Sequence, residues 1–135
     1  MKILGIEHIG IAVDDLNETS SFWGNILNIL QTHTELIASE QVKTTIFDTG
    51  KGKIELLSPS SPDSIIEKFM KNKGPGIHHV CLEVDNINKA IERLKEKNVI
   101  LINDKYKIGA EGYKIVFIHP KSTGGVLVEL AEKPK

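Results

Sequence analysis

Apolar and polar positions alternate along residues 3–13, where Ile9, Ile11 and Val13 interleave with His8, Gly10 and Ala12. Period-two alternation predicts a strand. Asp14 or Asp15 follows as a helix cap. Leu16, Trp23, Ile26, Leu27 and Leu30 then supply one apolar face, which predicts a helix reaching about Leu30. Residues 32–37, 42–47 and 53–57 predict three strands, the last two joined by a turn at Thr49-Gly50-Lys51-Gly52. The order so far is β-α-β-β-β. Ser58 to Asp63 reads as a linker into a helix over residues 65–71, with Pro62 in its first turn. Lys73-Gly74-Pro75-Gly76 ends that helix. The plan then repeats: a strand at 77–84, a helix at 86–97 with Ile87, Ala90, Ile91 and Leu94 on one face, and strands at 99–102, 114–118 and 126–130. Residues 103–113, with Gly109 and Gly112, read as a loop or bent strand.

The repeat extends to residue chemistry. Glu7-His8-Ile9-Gly10-Ile11-Ala12-Val13-Asp14 aligns with His78-His79-Val80-Cys81-Leu82-Glu83-Val84-Asp85. Ile54-Glu55-Leu56 aligns with Val128-Glu129-Leu130. The two histidines are 71 positions apart and the two glutamates 74. Such agreement predicts two copies of one supersecondary unit: an α+β fold of two tandem βαβββ modules, 1–58 and 77–135, joined by a helical linker at 59–76.

Side chains alternate across a strand. Ile9, Ile11 and Val13 share one face with a helix to cover them, while His8, Gly10 and Ala12 share the other. The second module sorts Val80, Leu82 and Val84 from His79, Cys81 and Glu83 in the same way. One face of each sheet is therefore packed. The other combines small residues with one titratable group per strand, which describes the inner wall of a cavity. Two imidazoles and two carboxylates facing one cavity suit a divalent cation, whose charge offsets the cost of burying two acids. His8, Glu55, His79 and Glu129 are the candidate ligands. No HExxH, CxxC or phosphate-loop motif competes with them. Of the other histidines, His33 is expected at the surface, His78 on the face opposite His79, and His119 at a strand end before Pro120.

Composition narrows the class. Length, 40% hydrophobic and 26% charged residues fit an ordered globular chain of this size. A net charge of −1 supplies no basic excess for nucleic acid. The single cysteine, Cys81, rules out an internal disulfide and reads as a buried strand residue. No run approaches the ~18 apolar residues of a membrane span, and Met1 to Gly10 lacks a signal-peptide pattern. The expected location is the cytoplasm, where the sequon at Asn17-Glu18-Thr19 carries no glycan.

The blocks Glu7 to Val13, Ile54-Glu55-Leu56-Leu57, Gly76-Ile77-His78-His79-Val80, Lys107 to Gly112, Phe117-Ile118-His119-Pro120-Lys121 and Gly124 to Leu130 resemble the methylmalonyl-CoA epimerase family. The first histidine block alone resembles the wider vicinal oxygen chelate (glyoxalase and bleomycin-resistance) superfamily. The resemblance covers residues 3–131. It implies a U-shaped metal cavity, a homodimer, a CoA thioester substrate and epimerisation at C2 of methylmalonyl-CoA through an enolate. It also implies a divalent ion, often cobalt, with manganese, nickel or zinc as alternatives, held by His8, Glu55, His79 and Glu129. The Glu55 position is Gln in some members. Some members carry a second acid–base Glu where this chain has Thr44, with Glu40 the nearest upstream carboxylate. Inversion needs one proton-transfer group on each face of a planar intermediate, a role that falls to Glu129 and to Glu55 or a water. Lys107 and Lys121 are candidates for the coenzyme phosphates. Three rival activities share the plan: a glyoxalase I-type isomerase acting on a glutathione thiohemiacetal, a metal-free binding module, and a ring-cleaving dioxygenase. A dioxygenase uses two His and one carboxylate, and Glu55 would crowd it.

Overall fold

The computed structural model describes every residue from Met1 to Lys135. The chain forms two compact units, His8–His78 and Met1–Glu7 with His79–Lys135.

In the His8–His78 unit, β1 (Ile3–Ala12) pairs in parallel with β4 (Lys53–Pro59). Next to β4 runs β3 (Val42–Asp48), and beside it β2 (Leu30–Ile37), both antiparallel to their neighbours. Helix α1 (Leu16–Ser21) begins where Asp15 accepts a hydrogen bond from the Glu18 amide at 3.0 Å. It does not continue to Leu30. The chain loosens into a π-type turn over Phe22–Ile26, and Asn28 turns left-handed at φ 60°, a conformation that Asn tolerates better than most residues. Gly24 brings bare backbone close to the buried Phe47 ring, since a Cβ there would lie 3.2 Å from Cε1. Ile29 consequently joins the core of Ile11, Val13, Leu16, Trp23, Phe47, Ile54 and Leu56. Ile26, Leu27 and Leu30, which the helical spacing places inside, are exposed. The other sheet face is closed at one end by α2 (Ile65–Lys73), whose Ile66, Phe69 and Met70 cover Ala12, Val42 and Leu57. Ser64 caps α2 through the Ile66 amide at 3.2 Å, so Pro62 lies ahead of the helix and not in its first turn. Gly74 ends it at φ 74°.

The other unit repeats the topology. β5 (Gly76–Val84) pairs in parallel with β8 (Val128–Glu132), and β7 (Lys114–Ile118) and β6 (Lys107–Ile108) follow antiparallel. Helix α3 (Ile87–Glu96) is capped by Asn86, which accepts from the Lys89 amide at 3.0 Å. The caps Asp15 and Asn86 stand as far apart in sequence as the two histidines. Asp85 instead accepts the Lys2 amide at 2.8 Å and donates its own amide to the Lys2 carbonyl at 3.1 Å, tying the N-terminal residues down. Helix α3 packs Ile87, Ala90 and Ile91 onto Val84, Val116, Ile118 and Leu130. Residues 99–102 form no strand, only a single bridge between Leu101 and Ile118. They reach β7 at its end, where Ile102 donates to the Phe117 carbonyl and His119 to that of Ile100, and no longer ladder can grow. The stretch expected as a loop or bent strand, residues 103–113, contains both: Lys107–Ile108 form β6 and the rest is loop with a 3-10 turn at Ala110–Gly112. There the absence of a Cβ matters, because one on Gly109 would sit 2.8 Å from Ile115 Cδ1. The architecture is α+β, with two βαβββ modules.

Candidate metal centre

Register decides what stands beside what. In the His8–His78 unit, Glu55 lies opposite Gly10 on one side and Ile46 on the other. His8 shares its face, two residues before Gly10 on β1. Leu57, two residues further along β4, pairs with Ala12 and Thr44. Glu55 is thus bordered by a residue with no side chain, and His8 lies beside it. Its Nδ1 lies 3.0 Å from Glu55 Oε2.

The second unit builds the same arrangement. Glu129 lies opposite Cys81 and Phe117, and His79 stands two residues before Cys81. His79 Nε2 is 3.1 Å from Glu129 Oε1. Phe117 meets the His79 ring edge-on, with centroids 5.7 Å apart, and fixes its orientation. Cys81, Tyr113, Ile115 and Ala131 form the apolar floor around the pair.

All four groups are 5–6% exposed. An ionised carboxylate taken out of water loses several kcal/mol of effective solvation. Something positive must compensate, either a proton on the imidazole or a cation between the two side chains. The spacing suits a cation: two donors about 2.1 Å from one ion, at right angles, are themselves about 3.0 Å apart. Nitrogen with carboxylate oxygen is also the donor set that borderline divalent ions prefer. The residues therefore fit a metal, each unit offering one imidazole and one acid.

The structure brings His8 to Glu55 and His79 to Glu129. The remaining candidates have other occupations. His33 sits on β2 with Nε2 2.8 Å from Glu35 Oε1, at the surface. His78 faces away from His79 and stacks edge-on against Phe69 at 4.9 Å. His119 caps a single 3-10 turn, its Nδ1 accepting from the Lys121 amide at 3.0 Å. Lys121 is exposed on that turn. Thr44 is buried on the Glu55 face of β3, two register pairs further along, and Glu40 lies in the β2–β3 turn. Sequence reasoning left Phe117 out of the site. The signal was available, because Phe117 stands two residues after Ile115 on the same strand face.

Comparison with known proteins agrees over nearly the whole chain. A family model described as the Glyoxalase/Bleomycin resistance protein/Dioxygenase superfamily matches residues 7–117. Mitochondrial methylmalonyl-CoA epimerase of Mus musculus is 42% identical over 132 residues, covering 97% of this chain and 74% of that protein. The crystal structure of methylmalonyl-CoA epimerase from Mycobacterium tuberculosis superposes with a TM-score of 0.94 at 30% identity, covering 98% of this chain and 90% of that one. A methylmalonyl-CoA epimerase in complex with methylmalonyl-CoA and NH4+ gives a TM-score of 0.92 at 30% identity over 98% and 96%.

Proposed function

The chain belongs to the methylmalonyl-CoA epimerase family within the glyoxalase, bleomycin resistance protein and dioxygenase superfamily, and on that premise we propose that it epimerises methylmalonyl-CoA at C2 with a divalent cation held by His8, Glu55, His79 and Glu129. One observation carries the metal reading: a buried imidazole–carboxylate pair recurs at the equivalent place in each module. A glyoxalase-type substrate or a metal-free binding role finds no comparable support, since relatives matched over 94% and 97% of this chain carry the epimerase name.

The C2 proton lies between a thioester and a carboxylate, so its removal leaves an enolate. When bound, a divalent ion supplies Lewis-acid stabilisation of that negative charge. The rest of the chemistry belongs to the chain. Glu129 takes the C2 proton, and Glu55, or a water that it holds, returns one to the other face. The two acids come from different modules, which suits an inversion that needs two independent groups. Thr44 has no group that titrates near neutral pH, so it cannot replace either acid. Phe117 and the apolar floor keep water from the carboxylate in its module and strengthen each charge interaction there.

Cobalt is the ion we favour, with manganese, nickel or zinc able to use the same nitrogen and oxygen donors. We also assign a homodimer and a cytoplasmic location. Exposed Ile3, Leu4 and Ile6 in one unit, and exposed Phe22, Ile26, Leu30 and Leu36 in the other, support association. Cys81 is buried and forms no disulfide, which suits a reducing compartment. No helix is long and apolar enough to cross a membrane.

Deuterium wash-in at C2 of methylmalonyl-CoA, followed by mass spectrometry with and without chelator, tests the reading. The expected result is rapid incorporation that chelator abolishes and added metal restores. Absence of incorporation from metal-loaded protein would discard the activity, and incorporation indifferent to chelator would discard the metal.

A further inference from the structure

We propose that the His33–Glu35 pair on β2 relays a proton from solvent to the second face of the intermediate, the face that Glu129 does not serve. The inference rests on the epimerase reading above and deepens it, because it names the source of the proton that Glu55, or the water it holds, returns.

The need comes from the chemistry. Inversion uses different groups for removing and for returning the proton. A carboxylate that also holds a cation has part of its basicity taken up by that ion. Once a water beside Glu55 has given its proton to C2, the hydroxide left behind must be neutralised before the next turnover. That place is closed to solvent, since the side chains of Glu55 and His8 are 8% and 7% exposed. A titratable group nearer the surface has to restore the proton.

The register supplies one, all within the His8–His78 unit. Side chains at paired positions of neighbouring strands share a sheet face. One row across the sheet runs His33, Ile46, Glu55 and Gly10, and the next runs Glu35, Thr44, Leu57 and Ala12. His33 and Glu35 therefore occupy the same face as Glu55, on a strand with no neighbour on its other side. His33 Nε2 lies 2.8 Å from Glu35 Oε1, and the two side chains are 42% and 30% exposed. Exposure thus rises along this face from Glu55 toward the sheet edge, as a path from bulk solvent to a buried acid requires. Two strand spacings, about 10 Å, separate β2 from β4, a span that the facing side chains and intervening water cover. Thr44 stands between Glu35 and Leu57, and its hydroxyl both donates and accepts. The other charged groups of this face, Asp48 and Lys53, are register partners one row nearer the β3–β4 turn, where Asp48 accepts the Gly50 amide at 2.8 Å.

The pair can hold and move one proton. His33 as imidazolium beside the Glu35 carboxylate carries it. In the return step an O–H bond of the water breaks as the C2–H bond forms. The proton of the pair then passes to the hydroxide and remakes water, and His33 takes another from solvent. Glu129, protonated in the first step, releases its own proton, so no charge accumulates over a turnover.

The test follows each C2 epimer of methylmalonyl-CoA separately in deuterated water with metal-loaded protein. Mass spectrometry reads deuterium in the recovered starting epimer, and a coupling enzyme specific for one epimer separates the two and reads inversion. Wild type is compared with Glu35→Gln, Glu35→Asp and His33→Ala. E35Q is expected to lower inversion about a hundredfold. It should leave wash-in within about threefold for the epimer whose proton faces Glu129, and lower it about a hundredfold for the other. E35D should recover part of the loss, and H33A should show the same asymmetry to a smaller degree. Metal content per chain and the thermal midpoint should match wild type. Equal loss of wash-in from both epimers, or loss of bound metal, would give the pair a structural role, and unchanged inversion would remove it from the proton path. Any of these results overturns the proposal while leaving the epimerase reading intact. Metal-loaded wild type that shows no wash-in overturns both.

Discussion

His8 and His79 reach their carboxylates through different ring nitrogens, Nδ1 in one module and Nε2 in the other. The duplicated halves thus repeat the residue types without repeating the ring orientation, and Phe117 supplies a support that its counterpart Ile46 cannot give. Glu129 should be the more demanding position. Glu129→Gln is expected to lower kcat about a hundredfold or more, read by wash-in kinetics at saturating metal. Near wild-type turnover would remove it as the base. Asp85 makes a separate, structural prediction. The Lys2 amide that it accepts holds its carboxyl below the ordinary 3.8. A lowered folded value means that the bond contributes fully above 3.8 and is lost as pH falls through the lowered value. Asp85→Asn should therefore flatten the acid limb of the unfolding profile, followed by circular dichroism between pH 5 and pH 2. At this scale the histidines and glutamates were legible because strand alternation alone fixes the face each one takes. Lys107 was legible as a basic candidate for the coenzyme phosphates near a glycine turn, but not as a neighbour of Phe117, whose ring centroid lies 5.9 Å from its Nζ. Its position over Phe117 depends on a hairpin register that no local pattern declares.

The elements show where periodicity suffices and where packing overrides it. Every strand of the first module was foreseeable from alternation and turn residues, and so was helix α3. Helix α1 was not, because Leu16, Trp23, Ile26, Leu27 and Leu30 satisfy a helical template that the fold does not use beyond Ile26. Gly24 against Phe47 and left-handed Asn28 terminate it, and the first acts through tertiary contact. Residues 99–102 failed as a strand for a related reason. Val99 and Leu101 do turn inward against α3, but the available edge of β7 is nearly exhausted where they arrive. The caps were half legible. Asp15 caps as expected, whereas in the second module Asn86 takes the role and frees Asp85 for Lys2. Asp15→Ala and Asn86→Ala should each cost about 1 kcal/mol, measured by urea denaturation. A null result for Asn86→Ala would show that α3 is held by its buried face alone.

For the whole molecule, duplication is the fact that makes two modest signals into one strong one. A His on one strand and a Glu on another are unremarkable singly. Their recurrence in both modules, buried and paired each time, is what a shared cation would require. Binding to the folded state alone stabilises it, by about 2.7 kcal/mol when free ion is a hundredfold above its dissociation constant. Stripping the metal should accordingly lower the thermal midpoint, and cobalt or manganese should restore it. On the proposed function, one ion is shared by His8, Glu55, His79 and Glu129. Metal content per chain after dialysis, compared between wild type, His8→Ala and His79→Ala, tests it most directly. One ion per chain is expected in wild type, with near-complete loss when either histidine is removed. Two ions per chain, with each substitution removing just one, would contradict it.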